Sequence, residues 1–197
     1  MSISPVLIVS NFSNGNILRI YLVNLFTECK AKNTYHYRMD TNPYFGIDFR
    51  KTPKLYVVGK GEQGVLTAEP YKSEILPFWR FATPEKAEKS SNKVLNMFYE
   101  YKKQNDFVGM DMARKFLQMG YTRSRRYANH KGGKKYLGPV PAHKKGQSGA
   151  HGRPELPRSP IDASKALSAK IFYDKYTIAK NDDLYKELLS KQKATTK

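Results

Sequence analysis

Cysteine is nearly absent from this sequence of 197 residues, which contains only Cys29. A single cysteine cannot form an internal disulfide, which argues against a small secreted domain held together by disulfide bonds. Long apolar runs are absent too. The run at residues 17–26 contains Arg19 and Asn24, and a membrane-spanning helix needs roughly 18–20 apolar residues. We therefore expect an intracellular protein of the cytoplasm, the nucleus or both, with the mitochondrion as a lesser alternative and no membrane partner.

Acidic residues are absent from a long central segment. No Asp or Glu occurs between Met112 and Pro154, whereas eleven lysines and arginines lie there and supply eleven of the +18 formal net charge. A run of like charges repels itself, and a polyanionic partner relieves that repulsion. We therefore expect nucleic acid as the partner, because Lys and Arg that neutralise phosphates release counterions.

Metal-ligand patterns are missing as well. The four histidines, His36, His130, His143 and His151, show no spacing typical of a metal site, and no acidic cluster accompanies the last three. The sequence therefore predicts neither a bound metal nor any other cofactor, and it does not indicate an oligomeric state.

The residues that are present predict an α+β fold, with a small antiparallel β-hairpin packed against three to five helices. Residues 55–58 and 65–67 are rich in β-branched and aromatic side chains, and a glycine-rich stretch at residues 59–64 separates them. Two short runs of this kind around a glycine-rich turn are typical of a hairpin. An aromatic connector with several prolines follows at residues 70–79.

Capping residues divide the rest of the chain into helices. Thr83, followed by Pro84, predicts the start of one helix. A second helix begins near Phe107, and we expect Gly120 to end it, because glycine readily adopts the left-handed conformation that commonly stops a helix. Further helices are predicted at residues 123–130, 162–180 and 183–192.

These elements predict a single domain at residues 41–192. Residues 1–40 are interpreted as a divergent N-terminal extension, and residues 193–197 as a tail. Glycine, proline, lysine, histidine and serine dominate residues 134–160. That composition predicts a flexible or disordered basic insert within the domain.

The candidate nucleic-acid contacts lie on the arginine-rich helix and on the segment that follows it. Arginine and asparagine make bidentate contacts with base edges. Tyr121, Tyr127 and Tyr136 offer rings on which exposed bases can stack, which favours single strands or RNA. The alternative is a solvated helical surface without a partner. The predicted contact residues are Arg114, Lys115, Arg123, Arg125, Arg126, Tyr127, Asn129, His130, Lys131, Lys134 and Lys135.

A second candidate site is the glycine-rich stretch, which matches G-x-G-x-x-G. A dinucleotide-binding loop must open a helix, whereas here a second strand is predicted to follow, and the other kinase signatures are absent. A hairpin turn is the simplest interpretation. The alternative is a phosphate-contacting loop formed by Gly59, Lys60, Gly61, Glu62, Gly64, Glu69 and Lys72. Carboxylates beside a lysine can also hold Mg²⁺, which makes an enzyme acting on a phosphorylated or nucleic-acid substrate the second hypothesis.

Several long strings carry a resemblance to a known family. They occupy residues 47–50, 55–66, 69–77, 79–81, 106–133 and 171–173. In these strings the chain resembles a family catalogued as domain of unknown function 4385, which implies no activity and assigns no catalytic residue. If the glycine stretch, the connector and the basic helix meet, one surface would combine Lys60, Glu62, Lys72, Arg114, Arg123, Arg126 and His130. The third hypothesis is a basic subunit of a ribonucleoprotein or protein assembly.

Overall fold

The computed structural model describes Tyr44, residues 46–144 and residues 149–195. Short 3₁₀ turns occupy Pro53–Leu55, Leu76–Phe78, Lys131–Gly133 and Ala142–Lys144. The five α-helices of the described residues are α1 (Tyr71–Ile75), α2 (Pro84–Lys103), α3 (Phe107–Asn129), α4 (Ala163–Asn181) and α5 (Asp183–Thr195). None of them is long and apolar enough to cross a membrane. The N-terminal extension predicted at residues 1–40, which includes Cys29, lies outside the described residues.

The prediction of an α+β fold with a β-hairpin is wrong. The described residues contain no β-strand and only two isolated bridges, so this part of the chain is all-α. A 3₁₀ turn and extended chain occupy residues 53–58, and consecutive turns occupy residues 61–67. Of the apolar side chains that suggested strands, Leu55, Val57 and Leu66 are exposed. Tyr56 is buried, and its ring centroid lies 6.3 Å from that of Phe107 in α3. Strand propensity measures how well a side chain fits a half-buried surface, and here a helix provides that surface.

The cap predicted at Thr83 is confirmed, and two aspartates cap the starts of α3 and α4. The Thr83 hydroxyl accepts a hydrogen bond from the Lys86 amide at the start of α2. Asp106 accepts from the Gly109 amide and Asp162 from the Lys165 amide, at the starts of α3 and α4. These side chains satisfy amides that lack an intrahelical partner.

Helix α3 is the central element of the domain. It packs against the other four helices, and every residue from Phe107 to Leu117 is buried. A helix that is buried on all sides is a core helix. Its second half leaves this enclosure, because Arg123, Arg125 and Arg126 are exposed. The fold therefore holds the first half of α3 in the core and presents the second half to solvent.

The predicted helix end at Gly120 is also wrong, because α3 continues without interruption to Asn129. A Cβ atom at Gly120 would overlap three ring atoms of Phe172 in α4. Gly109 is in similarly close contact with α2, because a Cβ there would lie 2.5–2.9 Å from ring atoms of Tyr101. Both glycines therefore allow close contact between helices, and neither marks a helix end.

The chain after α3 returns to the end of the same helix. The amide of Ser159 donates to the Asn129 carbonyl (2.9 Å), and the amide of Asp162 donates to the Ala128 carbonyl (3.0 Å). These bonds satisfy two carbonyls that the helix itself leaves unpaired. The predicted insert at residues 134–160 is thus anchored near its C-terminal end, while residues 145–148 lie outside the described part and the flexibility of the insert stays a prediction.

We expect Gly120→Ala to destabilise the protein by about 1–3 kcal/mol, because the added methyl group overpacks the contact with Phe172. A loss of stability would identify the close contact as the cause, since alanine in a helix interior normally stabilises a protein by about 0.5–1 kcal/mol relative to glycine. Urea denaturation of the two proteins measures the difference in the free energy of unfolding.

The matched control repeats the substitution in a Phe172→Leu background. Removing the ring makes room for the methyl group, so the cost of Gly120→Ala should fall there, as expected for directly coupled sites. An equal cost in both backgrounds would contradict the packing explanation.

Candidate nucleic-acid interface

The predicted contact residues differ sharply in burial. The exposed ones are Arg123, Arg125, Arg126, Tyr127, Lys131 and Lys134. Those of intermediate exposure are Asn129 and Lys135. The buried ones are Arg114, Lys115 and His130. Direct contact with phosphate requires an accessible cation, so the buried side chains cannot belong to a phosphate-binding surface in this conformation.

Five of the exposed residues are cations without an acidic partner in the described part of the chain. Some basic residues elsewhere are neutralised locally, as in the pairs Lys103–Glu100 (2.8 Å) and Lys186–Asp183 (3.4 Å), whereas exposed lysines such as Lys60 and Lys86 form no ion pair in the described part of the chain. The difference follows from the sequence, because no acid occurs between Met112 and Pro154. We call these five residues the basic surface: Arg123, Arg125, Arg126, Lys131 and Lys134.

The partial negative charge at the C-terminus of α3 compensates only a small part of this positive charge. The C-terminus of a helix carries roughly half a negative charge, which favours nearby cations. Five cations exceed that compensation several-fold. The basic surface therefore keeps a large excess of positive charge that nothing in the described residues neutralises.

The backbone of α3 determines how the arginines are arranged. Ser124 and Ala128 are buried and mark the inner side of the helix. Successive residues are about 100° apart around a helix axis, so Arg123, Arg125 and Arg126 spread around the outer side within about one turn. Lys131 and Lys134 lie in and directly after the 3₁₀ turn that follows the helix end, and this turn packs against Tyr127 of the last helical turn.

The two buried basic residues belong to a different structure, centred on the Asp111 carboxylate. Arg114 donates to Asp111 Oδ1 through Nε (3.0 Å) and Nη2 (2.8 Å), and Lys115 Nζ lies 3.2 Å from Oδ2. The hydroxyls of Tyr56 and Tyr185 donate to the same carboxylate at 2.5 and 2.7 Å. We call these five residues the buried charge cluster: Tyr56, Asp111, Arg114, Lys115 and Tyr185.

The electrostatics of the cluster keep Asp111 ionised. Burial by itself would raise the pKa of this carboxyl, but Arg114, Lys115 and the two hydroxyls outweigh burial and hold the pKa below its usual range. Buried charges are tolerated only when they are paired and hydrogen-bonded in this way. The cluster therefore has a structural role within the described domain.

The glycine-rich stretch lies against α3 next to this cluster. Lys115 Nζ donates to the Gln63 carbonyl (2.8 Å), and the Thr122 hydroxyl donates to Glu62 (2.5 Å). Glu62 and Thr122 thus link the stretch to the helix one residue before the basic surface begins. Gly59, Gly61 and Gly64 shape the turns of this stretch, and Lys60 remains exposed on it.

The structure places Glu69 and Lys72 away from the basic surface. They form an ion pair with each other (2.5 Å), and Glu69 also accepts from the Ser73 amide at the start of α1. The adjacent Tyr71 bonds to Asp106, the residue that caps α3. Arg123, the first residue of the basic surface, follows Asp106 by seventeen positions, which corresponds to about 25 Å along a helix. The single surface expected from the sequence is therefore not formed.

The chemical groups needed for the enzyme hypothesis are dispersed in the same way. Glu62 and Glu69 bond to different partners and do not converge. No group of three or more His, Cys, Asp or Glu side chains in the described residues is placed to hold a metal ion. Glu62, Glu69 and Lys72 are therefore not assembled around one metal-binding point in this part of the chain.

Comparison with known proteins identifies the family. Residues 37–195 match the family described as Domain of unknown function (DUF4385). The chain belongs to this family. The match confirms the resemblance seen in the sequence and covers every helix described above. Neither the curated proteins nor the solved structures provide a match to the chain.

Sequence reasoning missed Asp111, although a signal was present. An aspartate followed by basic residues three and four positions later can form ion pairs on one helical face. Arg114 and Lys115 have this spacing from Asp111 inside an otherwise apolar run. Such a triad among core residues indicates internal pairing, whereas the arginines after Thr122 have no acid in reach.

We expect Asp111→Asn to destabilise the protein by about 3–5 kcal/mol, because it leaves two buried cations without a counter-charge. Lys115→Met is the matched control, because Asp111 then keeps Arg114 and both tyrosines. Urea denaturation at neutral pH should show a larger loss for Asp111→Asn, and an equal or smaller loss would contradict the central role of the carboxylate.

The difference between wild type and Asp111→Asn should also depend on pH. Because folding lowers the pKa of Asp111, its contribution to stability is present above the ordinary aspartate pKa of about 3.9 and is lost as the pH falls below that value. Unfolding free energies measured across this range should converge at low pH. A difference that stays constant would show that Asp111 titrates normally.

Proposed function

We propose that this protein binds nucleic acid and that the basic surface contacts the phosphates. One observation carries the proposal: five exposed cations lie together at the end of α3 with no acidic partner among the described residues. Phosphate contacts of this kind supply the sequence-independent part of nucleic-acid affinity.

The position of the basic surface supports this function. The first half of α3 is fixed inside the core, so its second half presents the arginines on a rigid support. A rigid element loses less conformational entropy on binding than a mobile loop does. Arginine also makes bidentate contacts with phosphate through its planar guanidinium.

The partner and the cellular location that the sequence predicts are part of this proposal. A nucleic-acid partner agrees with an intracellular location in the cytoplasm or the nucleus. A basic subunit of a ribonucleoprotein would use the same surface, so that hypothesis describes a context for binding and does not require another site.

The proposal predicts that Arg123→Gln/Arg126→Gln weakens binding to a fluorescent oligonucleotide and flattens its salt dependence. Each lost phosphate contact lowers the slope of log K against log salt by about 0.7 for single strands and about 0.9 for duplex. The double variant should therefore lose about 1.4–1.8 in slope. Fluorescence anisotropy across a salt series measures both quantities.

The matched control is Lys103→Gln/Lys186→Gln, which removes the same net charge. Both lysines are exposed, pair with acids and lie near the opposite end of α3. We expect this control to bind like wild type. Equal weakening in the two double variants would indicate a response to net charge alone and contradict the assignment of the basic surface. Absence of binding at low salt would reject the function itself.

A further inference from the structure

A cavity opens directly beside the basic surface, between the end of α3 and the start of α4. Its volume is about 300 Å³, which is at the lower end of the range for small-molecule sites. Its lining includes Tyr127 and Lys131 from the end of α3 and the turn after it, and Ser159, Asp162 and Lys165 from the chain leading into α4. Lys131 thus belongs both to the cavity and to the basic surface.

The aromatic wall of this cavity is held in place. The Tyr127 ring is 38% exposed, and the ring of Phe81 packs on it with centroids 5.8 Å apart. The backbone of Gly133 covers another part of the ring. Gly133 has a φ of +69°, and a Cβ there would lie 2.8 Å from two ring atoms. The ring therefore offers a positioned surface for stacking, without a free side chain having to be ordered.

The polar groups that line the cavity are fixed as well. Ser159 Oγ accepts from the Lys131 amide (3.1 Å), and Asp162 Oδ1 accepts from the Lys165 amide (3.0 Å). These contacts orient both side chains and leave the Ser159 hydroxyl hydrogen and Asp162 Oδ2 without a hydrogen bond inside the described domain. The cavity thus combines an aromatic ring, a donor, an acceptor and a cation.

We infer that this cavity takes one unpaired base of a single-stranded nucleic acid. The base stacks on Tyr127, its polar edge faces Ser159 and Asp162, and Lys131 contacts an adjoining phosphate. A base inside a duplex is stacked on both faces and cannot enter, whereas unpaired bases bind aromatic side chains readily. The assignment rests on the proposed function, because the basic surface holds the strand that carries the base.

The test compares two single-stranded oligonucleotides of equal length, one with normal bases and one with abasic sites throughout. Both carry the same phosphates, so the basic surface alone would bind them equally. Stacking of one base should make wild-type protein prefer the base-bearing strand by about 5- to 150-fold. DNA and RNA versions of the base-bearing strand show which backbone the site accepts.

The outcomes separate this inference from the proposed function. Equal affinity for the two strands, with the usual salt dependence, would overturn the base site and leave phosphate binding intact. No binding to either strand at low salt would reject both. A preference for bases would support the site, and 2-aminopurine within the strand should then lose fluorescence on binding because it stacks.

Variants locate the base. Tyr127→Ala should reduce the affinity for the base-bearing strand to that for the abasic strand. The matched control is Tyr99→Ala on α2, whose tyrosine is 37% exposed, and it should keep the preference. A thermal melt checks that each variant is folded. If Tyr127→Ala does not fold, the wild-type comparison and the 2-aminopurine signal still decide. A preference that survives in folded Tyr127→Ala would overturn the assignment.

Discussion

The Asp111 carboxylate is the group on which the arrangement of this domain depends. It has no exposed surface, yet it neutralises two buried cations and accepts hydrogen bonds from two tyrosine hydroxyls. Its partners come from the segment before α1, from α3 and from α5. A buried charge that loses its partners costs several kcal/mol, so these parts of the chain must be in place together. The cluster also holds the glycine-rich stretch, because Lys115 donates to the Gln63 carbonyl.

The position of residues 46–70 depends on side-chain contacts, including those of the buried charge cluster. They have no hydrogen-bond ladder and only one isolated bridge, between Asp48 and Glu69. Their position is set by side chains: Phe49 and Tyr56 pack edge to face, and Tyr56 bonds to Asp111. Together with α2, α4 and α5, this segment encloses the first half of α3. Beyond Thr122 the outer side of the helix is exposed.

Local signals in the sequence located the starts of α2, α3, α4 and α5. They missed α1, predicted a separate helix at residues 123–130 that does not exist, and gave no tertiary contacts. Thr83 and Asp162 cap helices through bonds to amides three residues away, which a sequence shows directly. The role of Gly120 depends on Phe172, a residue far along the chain that no local pattern reveals. Apolar residues such as Tyr56 and Val65 suggested strands because propensity cannot distinguish a neighbouring strand from a neighbouring helix. The family membership was predictable, because it rests on long contiguous strings.

The basic residues show why charge in a sequence does not by itself define a binding surface. One uninterrupted basic run supplies both Lys115, fully buried against a carboxylate, and Arg123, exposed without a partner. The difference lies in the acid, since Asp111 is one helical turn from Lys115, whereas no acid follows until Glu155. Charge that folding neutralises is unavailable to a ligand, and only the remainder can bind one. Within this basic run, five such cations lie at the end of α3 and directly after it, where Lys131 also borders the cavity lined by Tyr127, so the same fold that leaves this charge unpaired places an aromatic ring next to it.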